Sequence, residues 1–416
     1  MFVPIGNTPR DYAWGSHTAI AGLLGSEPSG GPEAELWLGA HAGSPSRIVT
    51  DAPEGVDDLR AWIHSAPEQA LGPDLARRGA RLPFLLKVLA ADAPLSLQAH
   101  PDLDRARLGF DREEEAGIAV DAFDRNYRDA FHKPELIVAV SETFDALCGF
   151  RPVAEALAIV DELGAADAAG DDPQPAALAL LRDRLSGDDG LREAVEWLLR
   201  DGRGEDTGEV SWLVERVVAL AAVRAADAAS PFRAAFETVG ILAAHYPGDP
   251  GIVISLLLNH VTLRRGEALY LPAGNMHAYL RGLGIELMAE SDNVLRGGLT
   301  PKHIDIEELV DVLDFSPLPV PYLRPEQPGA GVQTFRPDVP DFVLHQVRAA
   351  DASETPIPLD GPAIALCTSG DVAISGAHGE TTFGRGASVY ITPDEGAVTV
   401  SGDGEVFIAT VGDGYA

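Results

Sequence analysis

Lysine is nearly absent from this chain. Of its 31 basic residues only Lys87, Lys133 and Lys302 are lysines, and the rest are arginines. Where arginine serves almost everywhere, a retained lysine marks a position that wants a compact ammonium and not a planar guanidinium. The alternative is three surface lysines left by chance. Cysteine is equally scarce: Cys148 and Cys367 lie far apart and form no CxxC pair. That argues against a disulfide framework and sets the expectation of a cytoplasmic protein. No apolar run approaches the ~20 residues that span a bilayer. The amino terminus, MFVPIGNTPRDYAWG, has no charged segment followed by an apolar stretch, so no secretory signal is expected. Positive charge is outnumbered, with a net charge of −33. Nucleic acid and anionic membrane are therefore excluded as partners, since both demand a positive surface. A phosphorylated ligand would need a local cluster of cations, for which the few lysines and Arg296 are candidates.

What is present points to a globular protein of two or three domains, with 416 residues and 46% apolar content. Residues 1–50 read as short strands broken by turns, and Glu35 to His41 alternates in the β manner. The runs RLPFLLKVLAA and PLSLQAH are split by the turn-like Asp92-Ala93-Pro94, and a further strand ends at Val140, with Pro134 near its start. After Arg151-Pro152 the texture changes. To about Ala244 the chain is rich in Ala and Leu at i, i+3, i+4, i+7, which predicts helices, one of them starting at Ser230-Pro231. Strand texture returns to about Met288, a short helix follows in HIDIEELVDVLDF, and Pro-rich residues 316–329 read as a linker. The last ninety or so residues alternate short strands with turns, the pattern of a sandwich or barrel.

Three segments carry chemistry. Gln98 and His100 stand two apart on a predicted strand and so share a face. Glu135 follows His132-Lys133-Pro134, and a carboxylate buried there needs a partner. Gly266, Pro272, Gly274 and His277 form a G-x5-P-x-G-x2-H string that resembles the second motif of the cupins, jelly-roll barrels in which such a turn presents a metal-binding histidine. Gln98-x-His100 stands where the usual first motif has HxH, and Glu135 is the candidate downstream acid. Gln98, His100, Glu135 and His277 make a mixed oxygen and nitrogen set suited to Zn²⁺. Gly386-ASVYIT-Pro393-DEG396 looks like a cupin turn without a histidine, so the carboxyl-terminal region is expected to be a second barrel without metal.

The stretch HAYLRGLGIELMAESDNVLRGGLTPKHID closely resembles the signature of the type I mannose-6-phosphate isomerase (phosphomannose isomerase) family. Tyr127-RDAF-His132-Lys-Pro-Glu135 matches that family's Y-x-D-x-N-H-K-P-E string except that Phe131 replaces the Asn. LLKVLAADAPLSLQAHPD, YAWG and AELWLGAH match as well. The resemblance spans most of residues 1–315, weakly in the helical insert and faintly beyond. It implies one Zn²⁺ per chain on Gln98, His100, Glu135 and His277, a catalytic Arg296, and a phosphate site involving Ser96 and Lys302. Gly297 stands where many members have Ala.

The expected fold is mainly β with a helical insertion: two cupin-type jelly-roll barrels plus an α-helical domain. The catalytic barrel comprises residues 1–151 and 246–316, the helical insertion 152–245, and the second jelly roll 317–416. The expected reaction interconverts mannose 6-phosphate and fructose 6-phosphate, most simply through a cis-enediolate, with no obligate protein partner. A Zn²⁺ with an open position polarises carbonyl and hydroxyl oxygens, and a fixed guanidinium such as Arg296 faces the developing oxyanion. Glu286, Glu290, Asp292 and a metal-bound hydroxide remain open as the base, and a hydride shift as the route. Rival readings are an iron-dependent cupin oxygenase and a non-catalytic sugar-phosphate-binding cupin. Lys302 is expected to bind phosphate. Lys133 is expected to bind substrate or support the site from the face opposite Glu135. Lys87 is expected to reach the pocket or to lie at a sheet edge with its ammonium in water. His41, His260 and His303 read as structural, and Trp14 and Trp37 as core or pocket wall.

Overall fold

A computed structural model describes residues 1–49, 55–203, 208–352 and 355–415. Two large antiparallel sheets organise it. The first has nine strands and carries the candidate site. Its axis is the 13-residue strand His277–Ala289. Toward its start this strand pairs with Leu97–Ala99 and Thr143–Phe150. Further on it pairs with Phe84–Ala91 and Glu135–Ala139. Two half-sheets thus meet along one strand. The transition falls at a bulge between Tyr279 and Arg281 and at Gly282, whose φ is +133°. A Cβ on Gly282 would lie 2.7 Å from the Phe144 ring, so only glycine allows the strand to bend this close to its neighbour.

The inner faces of the two half-sheets meet in a single cluster that includes Leu89, Ile137, Ala139, Phe144, Ala146, Val261 and Tyr279. Each outer face is covered by a different partner. Leu86, Val88, Leu136, Val138, Ile285 and Leu287 pack against Ile364, Leu366, Tyr390 and Phe407 of the second large sheet. Leu97, Ala99, Leu147, Ala278 and Leu295 pack against the helices. Being covered on both sides explains why Phe84–Ala91 is buried at all eight positions and reads as a continuous apolar run, not as an alternation.

The Ala/Leu-rich stretch forms helices at Val153–Ala168, Pro175–Leu185, Gly190–Gly202, Gly208–Ala225 and Arg233–His245. The predicted start at Ser230 is early. Ser230 Oγ accepts the N–H of Phe232 at 3.2 Å and caps a preceding turn. Leu103–Glu115 is a helix that the apolar pattern did not announce, because few of its residues are buried; Asp102 caps it by accepting the Arg105 N–H at 2.7 Å.

The second large sheet has eight strands, mostly from the carboxyl-terminal hundred residues. It also takes the first strand of the chain: Phe2–Gly6 pairs with Ser388–Ile391, Phe2 opposite Ile391. The amino terminus therefore belongs by pairing to the far sheet, not to the strands of the site. Among the described residues neither large sheet closes on itself through strand pairing. Among the described residues no helix is long and apolar enough to cross a membrane.

Candidate metal centre and active-site cavity

The nine-stranded sheet brings distant segments to one point. Arg296 stands opposite Gln98 on one side, and His277 opposite Gln98 on the other. Directly opposed residues share a face, with Cβ atoms about 5 Å apart, so Arg296, Gln98 and His277 form a row across three strands. His100, two residues beyond Gln98, lies on the same side. Gly274 shapes the approach to His277: its φ is +76°, and a Cβ there would meet the Val312 carbonyl at 3.0 Å.

His100, Glu135 and His277 converge, their candidate ligand atoms all lying within 4.8 Å of one another. His100 Nε2 is 3.2 Å from Glu135 Oε1, and His277 Nε2 is 3.3 Å from Glu135 Oε2. All three side chains are at most 3% exposed. His100 Nε2, His277 Nε2 and Glu135 Oε2 nevertheless have no hydrogen-bond partner among the described residues. The other ring nitrogens explain the orientation. His100 Nδ1 donates to the Asn293 carbonyl at 2.8 Å, and His277 Nδ1 donates to the Asn275 carbonyl at 2.9 Å. Each ring thereby turns an Nε2 lone pair toward the centre, as metal-ligating histidines do. Three buried, unsatisfied donor atoms aimed at one point fit a cation, and the nitrogen and carboxylate chemistry suits zinc. Burial would raise the Glu135 carboxyl, but Lys133 and the two histidines hold it well below the usual carboxylate range. Burial, together with Lys133, lowers His100 to about 4, which keeps the ring neutral.

Lys133 differs from its expected placement. Its Nζ lies 3.0 Å from Glu135 Oε1, on the same side as the carboxylate. Residues two apart share a face of an extended chain, so the opposite-face expectation was wrong. Lys87 is not a sheet-edge residue either. It is 6% exposed and sits between Glu286 Oε2 at 2.9 Å and Glu35 Oε1 at 3.5 Å, with the Trp37 ring 5.2 Å away. Burial alone would lower its ammonium, yet the two carboxylates more than offset that and hold it charged. Burial raises Glu286, with Lys87 pulling the other way.

Above these groups opens a cavity of about 750 Å³, lined by Ser96, Gln98, Lys87, Lys133, Arg296 and Lys302 among others. Trp14 and Trp37 form part of its wall. Arg296 is half-buried and Lys302 exposed. Burial lowers both, and Arg128 lowers both further by repulsion. Arg128 is the residue that sequence reasoning missed. It, Arg296 and Lys302 make no ion pair among the described residues, so three neighbouring cations stand unneutralised in a strongly acidic protein. Only its place in the matching Tyr127 string, beside Lys133 in a chain poor in basic residues, hinted at it. Two histidines read as structural also face the cavity. His41 Nδ1 accepts the Gly43 N–H at 3.0 Å, which leaves Nε2 to donate to Asp292 at 3.2 Å. His303 packs against exposed Phe123 at the rim. His260 lies outside the cavity.

The walls are pinned by charge. Glu308 accepts from the Tyr127 hydroxyl at 2.6 Å and from Arg105 and Arg112 at 2.8 Å each, tying three segments together. Phe131, which stands where the matching family has Asn, turns outward under the Arg81 guanidinium at 3.8 Å. Glu290 is paired with Arg81 at 3.2 Å and lines an adjoining cleft, outside the main cavity.

This architecture is that of the phosphomannose isomerases. A crystal structure of a mutant phosphomannose isomerase from Salmonella typhimurium superposes with a TM-score of 0.86 at 35% identity, covering 99% of each chain. A zinc-bound holo structure of mannose 6-phosphate isomerase gives 0.85 at 35% identity, again over 99% of each. Mannose-6-phosphate isomerase of Escherichia coli (strain K12) is 39% identical over 96% of this chain and 97% of its own. The human enzyme of that name is 32% identical over 94% and 93%. The family model for the type I phosphomannose isomerase catalytic domain matches residues 2–153. The chain belongs to the type I phosphomannose isomerase family. The likeness extends through the helices and the carboxyl-terminal sheet, well beyond the span legible by motif.

Proposed function

We propose that this chain is a zinc-dependent aldose–ketose isomerase that interconverts D-mannose 6-phosphate and D-fructose 6-phosphate. The observation that carries this reading is the trio of buried donor atoms on His100, Glu135 and His277, unpartnered among the described residues and lying beneath a cavity with three cations that make no ion pair among those residues. Gln98 completes the ligand set for one zinc per chain. When bound, zinc supplies Lewis-acid polarisation of the sugar's carbonyl and adjacent hydroxyl. The remaining work belongs to the chain. Lys302 and Ser96 take the phosphate. Arg296 faces the oxyanion that develops as a proton leaves C2 for C1, a contribution of ~3–4 kcal/mol to the barrier. Lys133 keeps Glu135 ionised, and Lys87 presents a fixed ammonium to the cavity. Glu286 and Asp292 remain as candidate bases; Glu290, held by Arg81 outside the cavity, does not.

The catalytic unit is assigned to residues 1–151 and 246–316 and takes the form of a cupin-type jelly roll, lending the strand Phe2–Gly6 to the second large sheet. Residues 152–245 form the helical unit. Residues 317–416 form a second jelly roll without metal, and the protein works in the cytoplasm with no obligate protein partner. A coupled assay tests the activity: fructose 6-phosphate should appear from mannose 6-phosphate, vanish on complete chelation and return with Zn²⁺. No turnover with metal present would refute the isomerase; turnover indifferent to metal removal would refute the zinc role alone.

A further inference from the structure

Asn293 lies outside the cavity lining and is 0% exposed, yet its hydrogen bonds reach several parts of the site. Its Oδ1 accepts the N–H groups of Arg128 at 2.7 Å and Asp129 at 3.3 Å. Its Nδ2 donates to the carbonyls of Asp129 and Phe131, each at 2.8 Å. The amide's two donors and two lone pairs are thus all used on residues 128–131. Its own main-chain carbonyl accepts the Nδ1–H of His100. The neighbouring bonds tighten the same clasp. The Asp129 carboxylate accepts from Ser291 Oγ and the Asp292 N–H at 2.8 Å each, and from the Phe131 N–H at 3.0 Å. One buried amide therefore joins the segment leading to Glu135, the histidine His100 and the segment leading to Arg296.

We propose that Asn293 is a positioning residue that couples the metal ligand His100 to the anion-binding segment of Arg128, so that metal and phosphate bind cooperatively. This rests on the zinc reading above. His100 can aim its Nε2 only while the residue 293 carbonyl stays in place, and that carbonyl is fixed by closure of the same residue's amide on 128–131. An anion gathered by Arg128 orders the peptide that Asn293 grips, and so orders the support of His100. Partners of this kind typically change metal affinity 10–100-fold when removed, and coupling between the two ligands must be reciprocal.

The test measures Zn²⁺ affinity of the metal-stripped full chain by competition with a chromophoric chelator, with and without saturating sulfate as the phosphate mimic. In the unsubstituted protein sulfate should tighten zinc binding several-fold. Asn293→Ala should weaken zinc binding by about 10–100-fold without sulfate and abolish the sulfate effect. Arg128→Met should lose the sulfate effect while zinc affinity stays within a few-fold. Attraction between bound zinc and sulfate would by itself survive in Asn293→Ala; a retained sulfate effect with unchanged zinc affinity there overturns the positioning role. Absence of zinc binding by the unsubstituted protein overturns the metal reading instead. Should Asn293→Ala fail to fold, Asn293→Ser is judged by the same two quantities.

Discussion

Lys87 and Glu286 stand opposite one another on adjacent antiparallel strands, and Nζ meets Oε2 at 2.9 Å in the interior of the nine-stranded sheet. With Glu35 at 3.5 Å the lysine neutralises two buried carboxylates. Removing one partner of such a buried group leaves a charge without compensation. Lys87→Met should destabilise the protein by about 3–5 kcal/mol in urea unfolding. Lys87→Met combined with Glu286→Leu should recover part of that loss, because the closer pair disappears together while Glu35 stays without its cation. Full stability of the single variant would show that Lys87 does not hold the carboxylates.

Zinc should stabilise the folded chain through His100, Glu135 and His277. At a metal concentration a thousandfold above Kd the gain is about 4 kcal/mol, visible as a rise in Tm of the stripped protein on adding Zn²⁺. His277→Ala should abolish that rise, measured against the variant's own metal-free Tm, since the substitution removes the unpartnered Nε2 together with the Nδ1 bond to the Asn275 carbonyl. An equal rise in His277→Ala would place the metal elsewhere.

Arg128 and Lys302 should act on binding more than on turnover. A charge-assisted hydrogen bond is worth ~1.5–3 kcal/mol, so Arg128→Ala or Lys302→Ala should raise KM for mannose 6-phosphate by about 10–100-fold, with kcat affected less. The KM of the unsubstituted enzyme should also rise with salt. An unchanged KM in Lys302→Ala would remove that lysine from the phosphate site.

Acid should weaken the carboxyl-terminal sheet through His345. Burial, aided by Arg336, lowers this imidazole from 6.5 to about 4, and its Nε2 has no partner. Because the folded pKa lies below the unfolded one, the unfolded state binds more protons between those values. The stability present above pH 6.5 is therefore lost as pH falls toward 4, by at most about 3 kcal/mol. His345→Leu should flatten that part of the stability–pH curve in metal-free protein; an unaltered slope would assign the acid sensitivity to other groups.

Much of the site was legible because its members sit on short strings whose geometry is local. Gln98 and His100 share a face by spacing alone, and Gly274 with Pro272 announces the turn before His277. Arg128 and Asn293 were not legible, for their importance comes from meeting across 165 positions of chain. The partners of Lys87 were not legible, because an apolar run says nothing about which carboxylates lie opposite; only the register with Glu286 and Trp37 does. In the fold, the helices after Arg151 followed from their periodicity. The pairing of Phe2–Gly6 with Ser388–Ile391 did not, since nothing within a strand identifies its partner.

The strand His277–Ala289 holds both His277 and Glu286 and lies, in the order of synthesis, after the whole helical stretch. His100 must await a carbonyl 193 residues downstream before its ring is oriented. A nascent chain that has released Gln98, His100 and Glu135 from the ribosome consequently holds only part of a chelating group. At about 5–20 residues per second, these side chains remain without their final companions for roughly ten seconds or more. The closing of the long strand is thus also the moment at which the chain first becomes able to hold its metal in native geometry, and a shift of one residue in that strand's pairing would turn His277 and Glu286 outward together.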